Sequence, residues 1–361
     1  MRSSSRRRDK IRRFSRKPSL LCCLADCRLP DLPLKRSRPA QNPSPVPWRR
    51  GIHAVSRKRL LPGPINLLQN VKTPYSEYLC VFGRRVHLRR WGRASAKPLF
   101  LLHGWMDVSA SFQFIVDHLS GDWNVIAVDW PGFGLSDWLN RTYYFPDYLA
   151  VLDAVLDRYS PFRGARLVGH SMGGNIACLY AGIRPHRVEA VMSLEGFGIA
   201  PTSPAMAGER VIKWLDQIKD VRHPKRYANR QAVVTRLLGR DPYLTQEKAE
   251  FLATHLTCGG DVDLAWAADP FHRVANPVLY RLDESAAIWR NITCPVIWVV
   301  GRESAIHEEF AARPGDWDMR QSCFLKFKEI WVDDATHMLH HDRPDVIARL
   351  IDHELNAAPP P

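Results

Sequence analysis

One serine in this chain stands in a spacing that serves nucleophilic catalysis. Gly169-His170-Ser171-Met172-Gly173 lies between the apolar run ARLV and the segment GGNIACLYAGIRP. A serine on a sharp strand-to-helix turn has its hydroxyl thrust out beyond the strand end. Bulky side chains two residues away on either side would collide there, which is why glycine fills both places. The N–H of Met172, at the start of the helix that follows, is left free to bind an oxyanion. As five letters the pattern is weak, and the plain alternative is a chance Gly/Ser turn. Between a strand and an alanine-containing helix it carries much more weight. A serine hydroxyl also needs a base to take its proton and a carboxylate to orient that base. The chain has 14 histidines to choose from.

The elements that must position these groups follow from the hydrophobic pattern. From about residue 75, YLCVFG and RRVHLRRWG read as a hairpin pair. PLFLLHGW and WNVIAVDW read as buried strands running into loops. FPDYLAVLDAVLDRYS has apolar residues at helical spacing. ARLVGH is a strand, GGNIACLYAGIRP a helix stopped by proline, and VEAVMSLEGFG a strand ending in a turn. Strands alternating with helices predict a mostly parallel sheet with helices on both faces, an α/β architecture. Between about 201 and 289 the alternation stops. GERVIKWLDQIKDV, NRQAVVTRLLGR, TQEKAEFLATHLTCGG and LDESAAIWRNI read as successive helices, the third with Thr245 as N-cap and Gly259 as its stop. Strands resume with PVIWVV and FKEIWVDD, and DVIARLIDHELN closes the chain as a helix. Helices inserted between two strands of one sheet make a cap. The expected boundaries are a basic extension over 1–65, core over 66–200, cap over 201–289, core over 290–356 and a tail over 357–361.

The net charge of +14 belongs to one end. Residues 1–60 hold 18 of the 51 Lys and Arg and 3 of the 37 acids, a net +15 that leaves the remaining 301 residues at −1. No nucleic-acid partner is therefore expected for the core. The Arg-, Ser- and Pro-rich leader cannot bury enough apolar surface to offset its chain entropy, so disorder is expected. Its composition suits an extension that plays no part in the fold, which is the favoured reading. A targeting segment comes next, then a basic arm on phosphate backbones or anionic lipid, with a faint twin-arginine look in SRRRDK. The 8 cysteines are scattered without CxxC spacing, which argues against a disulfide framework or a zinc site. No apolar run reaches the roughly 18 to 20 residues of a membrane span. A cytoplasmic protein is the expectation, with targeting by the leader as the alternative.

On these motifs, residues 75–355 resemble the α/β-hydrolase superfamily. LLHGWMD, with His103, Gly104 and Trp105, matches that family's HG-x loop after the third strand. DWPGFGLSD is similar to its D-x-x-G-x-G-x-S loop, which shapes and pins the site floor. The RRWG, HGW, GHSMGG and DLAW segments look most like the serine hydrolase-like proteins. The resemblance implies a mostly parallel sheet of the eight-stranded type with helices on both faces and an inserted helical cap. It makes the N–H of Trp105 the second oxyanion donor beside that of Met172. It also implies the chain order nucleophile, acid, histidine. The histidine then comes from VDDATHMLHHDRPDVI. His337 stands where the family has Gly-His, with Thr336 in place of the glycine, and is the expected general base. For His340 and His341 the plain reading is surface or cap-facing histidine, ahead of a helix that Asp342 could cap and Pro344 could open. The HxxHHD cluster lacks a second ligand group, so no metal is expected.

Two glutamates compete for the third place. The commonest family position is three residues past the strand-ending glycine. Counted from Gly301 it holds Ser304, with Glu303 one residue early. The second family position is the end of the sixth strand, where MSLEGFG puts Glu195. Its separation of 24 from Ser171 is similar to that of hydrolases with the acid there, some haloalkane dehalogenases among them. Glu195 is preferred and Glu303 is the alternative.

The expected activity is that of a carboxylesterase-like serine hydrolase. It would cleave an ester or similar acyl bond of a small, largely apolar substrate through an acyl-enzyme, with no cofactor. His103, Gly104, His170, Trp214 and Trp266 are expected at the substrate. Serine at the nucleophile position argues against the epoxide-hydrolase and dehalogenase branches, which use Asp. C–C bond hydrolysis, lactone or peracid chemistry stay open on the same triad, and so does a non-catalytic ligand-binding protein on this fold.

Overall fold

The computed structural model describes residues 71–221 and 223–356. The leader and the 357–361 tail lie outside the described residues. The chain opens with the hairpin β1 (Tyr75–Val81) and β2 (Arg84–Trp91), followed by β3 (Lys97–Leu102), α1 (Gln113–His118) and β4 (Trp123–Val128). Then come α2 (Phe145–Tyr159), β5 (Ala165–His170), α3 (Met172–Ile183) and β6 (Val188–Leu194). The segment between β6 and β10 that the sequence reading takes as the cap contributes α4 (Ala207–Lys219), β7 (Arg226–Asn229), α5 (Arg230–Leu238), α6 (Gln246–His255), β8 (Thr257–Cys258) and β9 (Val262–Trp266). The chain returns through α7 (Leu282–Trp289) to β10 (Val296–Gly301), α8 (Ala305–Ala311), α9 (Asp316–Gln321), β11 (Phe327–Val332), α10 (Leu339–Asp342) and α11 (Pro344–Glu354).

The main sheet has eight strands in the order β1-β2-β4-β3-β5-β6-β10-β11. Only β2 runs against the rest: it pairs antiparallel with β1 and with β4, and the other pairs are parallel. β4, β5 and β10 are buried at every residue, the pattern of strands covered on both faces. On one face α2 lays Tyr148, Val151, Leu152, Val155 and Leu156 at helical spacing against α3 and the sheet. On the other face α1 and α11 pack together, α11 through Ile347, Ala348 and Ile351. Pro344 occupies the first turn of α11, where a missing N–H costs nothing. No helix among the described residues is long and apolar enough to cross a membrane.

Two features of the insertion differ from the sequence reading. The cap is not purely helical, because β7, β9 and β8 form a three-stranded antiparallel sheet, and α6 ends at His255, before Gly259. Thr245 does cap α6, its hydroxyl accepting from the Lys248 N–H at 3.3 Å. The boundary at 289 also falls inside the core: α7 packs on α3, and its Ala286 and Trp289 join the main hydrophobic cluster. A helix with one apolar face satisfies either neighbour, so periodicity alone could not separate the two. The cap proper has its own small core of Tyr227, Val233, Val234, Ala249, Leu252 and Leu256. That core closes over Val108, Ala110 and Phe114 of the segment after β3.

Candidate active site

β5 ends at His170, and the chain reverses at once into α3. Ser171 takes φ 50° and ψ −114°, a conformation that L side chains avoid. The glycines on either side have a steric cause. A Cβ on Gly173 would overlap the carbonyl oxygen of Leu102 in β3, and one on Gly169 would overlap the Gly173 backbone. The Ser171 N–H donates to the Leu194 carbonyl at 2.8 Å, tying the turn to the end of β6. As first residue of α3, Met172 has no intrahelical acceptor for its N–H. The Gly104-Trp105 loop runs over the same point: a Cβ on Gly104 would lie 3.2 Å from the Ser171 Cβ.

That loop is held from behind. His103 is fully buried. Its Nδ1–H donates to the Gly104 carbonyl at 2.7 Å, and its Nε2 accepts from the Trp130 N–H at 3.0 Å. Burial pushes its pKa below the ordinary range, consistent with a neutral ring that accepts and donates at once. Asp129 pins the neighbouring loop by accepting from the N–H groups of Ser109 (2.6 Å) and Leu135 (3.0 Å) and from His87 Nδ1–H (2.8 Å). Burial alone would raise this carboxyl. Its hydrogen bond with His87 and the neighbouring histidines outweigh burial and hold it well below the carboxylate range.

The two glutamates have different surroundings. Glu195, at the end of β6 with φ 58°, is buried. Its Oε1 accepts from the Gly301 N–H at 2.7 Å, and its Oε2 accepts from the Ser304 hydroxyl and lies 3.4 Å from His337 Nδ1. Glu303 is exposed, accepts from the hydroxyl of Tyr243 in the cap, and makes no hydrogen bond to His337 among the described residues. Ser304, at the commoner family place for the acid, thus donates to the carboxylate that comes from the other place. The same hydroxyl caps α8 by accepting from the Ile306 N–H at 3.3 Å. His337 is partly exposed, and its carbonyl accepts from His170 Nε2–H at 2.8 Å. Burial first, then the neighbouring histidines, keeps His170 well below its ordinary pKa. Ser171 and His337 line one cavity without a hydrogen bond between them among the described residues.

The cavity measures about 300 Å³ and is walled by Trp105, Met106, Leu237, Leu244, Leu252, Leu256 and Trp266, with Arg236 and Arg240 from the end of α5. Of the residues expected at the substrate, His170 and Trp266 line it, and Trp266 Nε1–H also donates to the Met106 carbonyl at 3.0 Å. His103 and Gly104 do not line it, because they form the buried support of the loop. Trp214 is a correction: on α4, it turns its Nε1–H to Thr142 Oγ1 at 2.8 Å, away from the cavity. His340 and His341 are buried rather than at the surface; His341 meets the cap-facing alternative, lining the cavity and accepting at its carbonyl from Lys248 Nζ at 2.6 Å, and His340 Nε2 lies 3.5 Å from Asp107. The sequence reading did not single out Asp107, Arg236, Arg240 or Asp241, all in the wall. Their only sequence signal was two arginines four residues apart in RLLGR.

Residues 97–279 match the profile of the alpha/beta hydrolase fold family. The chain belongs to that family. This α/β hydrolase is 26% identical over 272 residues to a "Serine hydrolase-like protein" of Danio rerio, covering 72% of the chain and 82% of the relative. It is 26% identical over 288 residues to "Serine hydrolase-like protein 2" of Homo sapiens, covering 73% and 88%. Among solved structures it is similar to the "Thioesterase Domain From Curacin Biosynthetic Pathway", with TM-score 0.68 at 22% identity over 77% of this chain and 99% of that one.

Proposed function

We propose that this α/β hydrolase is a serine hydrolase that cleaves an ester or thioester of a small, largely apolar acyl group. Ser171 attacks the carbonyl and His337 takes its proton through Nε2. Glu195 holds the other ring nitrogen and offsets the imidazolium that forms. The oxyanion settles between the N–H groups of Met172 and Trp105. His337 returns the proton to the leaving group, and water then opens the acyl-enzyme by the same route. The observation that carries the reading is the convergence on one cavity of a strained Ser171 and a His337 whose far nitrogen faces a buried carboxylate. The names of the relatives and the thioesterase fold neighbour lend support at the level of acyl transfer. The mostly apolar wall supports an apolar acyl group.

Pre-steady-state hydrolysis of p-nitrophenyl esters of increasing chain length tests the mechanism. The reading expects a burst of nitrophenolate stoichiometric with enzyme, followed by slower turnover. Absence of both turnover and burst across the panel in folded protein counts against it.

A further inference from the structure

Acyl transfer itself makes no use of the charged part of the cavity wall. Arg236, in the last turn of α5, and Arg240, in the turn after it, both line the cavity that holds Ser171 and His337. Arg240 lies two residues past the end of α5, its N–H donating to the Leu237 carbonyl at 3.0 Å, so a shared cavity wall rather than helical spacing groups the two. Among the described residues neither guanidinium makes a hydrogen bond or ion pair, whereas Arg226 and Arg230 of the same cap pair with Asp263 and Asp261. The C-terminal end of a helix favours cations along its axis, but it does not dictate that both should line the cavity of the candidate nucleophile. The acids in the wall are engaged elsewhere. Asp107 accepts from the Ser111 hydroxyl at 2.8 Å; Asp241 accepts through Oδ1 from the Tyr243 N–H at 3.0 Å and lies against Asp342, its Oδ2 buried without a hydrogen-bond partner among the described residues, and neither acid pairs with Arg236 or Arg240. Arg240 is exposed and Arg236 half-buried, so the charge sits toward solvent while the leucines form the apolar part.

We propose that the substrate carries an anionic group, a carboxylate or a phosphate, that Arg236 and Arg240 bind while its apolar acyl portion lies against the leucine wall. This assignment rests on the serine-hydrolase reading for the reacting end and names the substrate class for the other. Guanidinium forks match carboxylate and phosphate oxygens in bidentate pairs. Held at the rim, such an anion fixes the register of the ester over Ser171, so the two arginines position substrate and take no part in bond making.

The anion belongs either to the far end of the acyl chain or to a phosphate-bearing leaving group. Trp105 and Trp266 line the same cavity, so intrinsic fluorescence reports occupancy without turnover. The full chain and its R236Q/R240Q variant are titrated with hexylphosphonate and with hexanol. Hexylphosphonate should bind the wild type at least about tenfold more tightly than hexanol, and the double variant should lose that preference. The basic leader is common to both proteins, so only the part lost in R236Q/R240Q counts. Equal affinities in the wild type, or a preference that survives R236Q/R240Q, overturns the proposal.

Turnover locates the anion. A drop of at least about tenfold in the kcat/KM ratio of mono-p-nitrophenyl adipate to p-nitrophenyl hexanoate in R236Q/R240Q puts it on the acyl chain. The same drop for hexanoyl-coenzyme A against the hexanoyl N-acetylcysteamine thioester puts it on the leaving group. An arginine-dependent phosphonate preference in a protein that turns over no ester keeps the anion site and removes the serine-hydrolase reading. Ester turnover without any such preference does the reverse.

Discussion

Replacing Glu195 by glutamine probes the site where its parts are most tightly coupled. Three donors converge on this buried carboxylate: the Gly301 N–H at 2.7 Å, the Ser304 hydroxyl, and the His337 ring at 3.4 Å. A glutamine amide offers one acceptor oxygen and an NH2 group, so at least one of the three donors would face another donor. If the NH2 turns toward His337, the ring is pushed into the wrong tautomer and the imidazolium loses its buried counter-charge. In serine-protease chemistry the equivalent acid-to-amide change costs on the order of 10⁴ in kcat, which corresponds to about 5 kcal/mol of transition-state free energy. We expect Glu195→Gln to lose roughly 10³ to 10⁴ in kcat toward a p-nitrophenyl ester, with KM changed by less than about threefold. Leaving one buried donor unsatisfied costs a further ~1 to 3 kcal/mol of stability. The assay therefore belongs well below a melting temperature measured on the same variant. Glu303→Gln is the control: its side chain is exposed and its one side-chain hydrogen bond among the described residues is from Tyr243, so kcat should stay within about threefold of wild type. A collapse in Glu303→Gln beside a near-normal Glu195→Gln would refute the assignment of the acid.

Other outcomes follow from the same geometry. Ser304→Ala removes one donor from the Glu195 carboxylate and should lower kcat by roughly tenfold, while Ser304→Thr, which keeps the hydroxyl, should restore most of it on a p-nitrophenyl ester. Gly173→Ala drives a methyl into the Leu102 carbonyl; a loss above about 3 kcal/mol in urea unfolding is expected, and a near-native midpoint would contradict the packing. Stability should also fall on acidification below about pH 6.5. Burial first, then neighbouring positive groups, pushes His340 down to about 3, and His170 and His341 are lowered in the same direction. Each buried ring stays neutral while its unfolded counterpart takes a proton near pH 6.5, so the unfolded state binds more protons and each such group costs about 1.4 kcal/mol per pH unit lost, for His340 down to about pH 3. Asp241, pushed up to about 6 by burial and then by Asp342, works the other way between about pH 6 and 4, as does Asp117, raised by burial, but these carboxyls stand against a larger set of lowered histidines. Melting temperatures between pH 7 and 5 test this, and a flat profile in wild type would contradict the buried neutral cluster.

How much was legible in the sequence depended on how strongly local physics constrained each piece. The buried strands β3, β4, β5 and β10 declared themselves as apolar runs, and the turn at Ser171 did so because only glycine fits at 169 and 173. The short cap strands did not. β7 is RYAN with a single buried residue, and the five residues of β9, VDLAW, show no alternation, two exposed being followed by two buried. The short helices α8 and α9 hid for the same reason. α7 was recognised as a helix yet given to the cap, since an apolar stripe does not name its partner. Trp214 and Trp266 looked alike as cap tryptophans, and only tertiary contact separates one bonded to Thr142 from one in the cavity wall. Glu195 stood out through its family position, whereas the part of Ser304, a donor to that carboxylate, has no signature in the chain. Arg236 and Arg240 read as any solvated pair until the fold placed them in the wall of the cavity that Ser171 also lines.

An activated Ser171 hydroxyl should be captured covalently by an electrophilic phosphorus probe. Full-length protein is treated with a fluorophosphonate probe, and the adduct is read by intact mass and located by peptide mapping. The account predicts one adduct per chain on the peptide containing Ser171, lost in Ser171→Ala and strongly slowed in His337→Ala. No adduct on folded wild type, or equal labelling of Ser171→Ala, would contradict it.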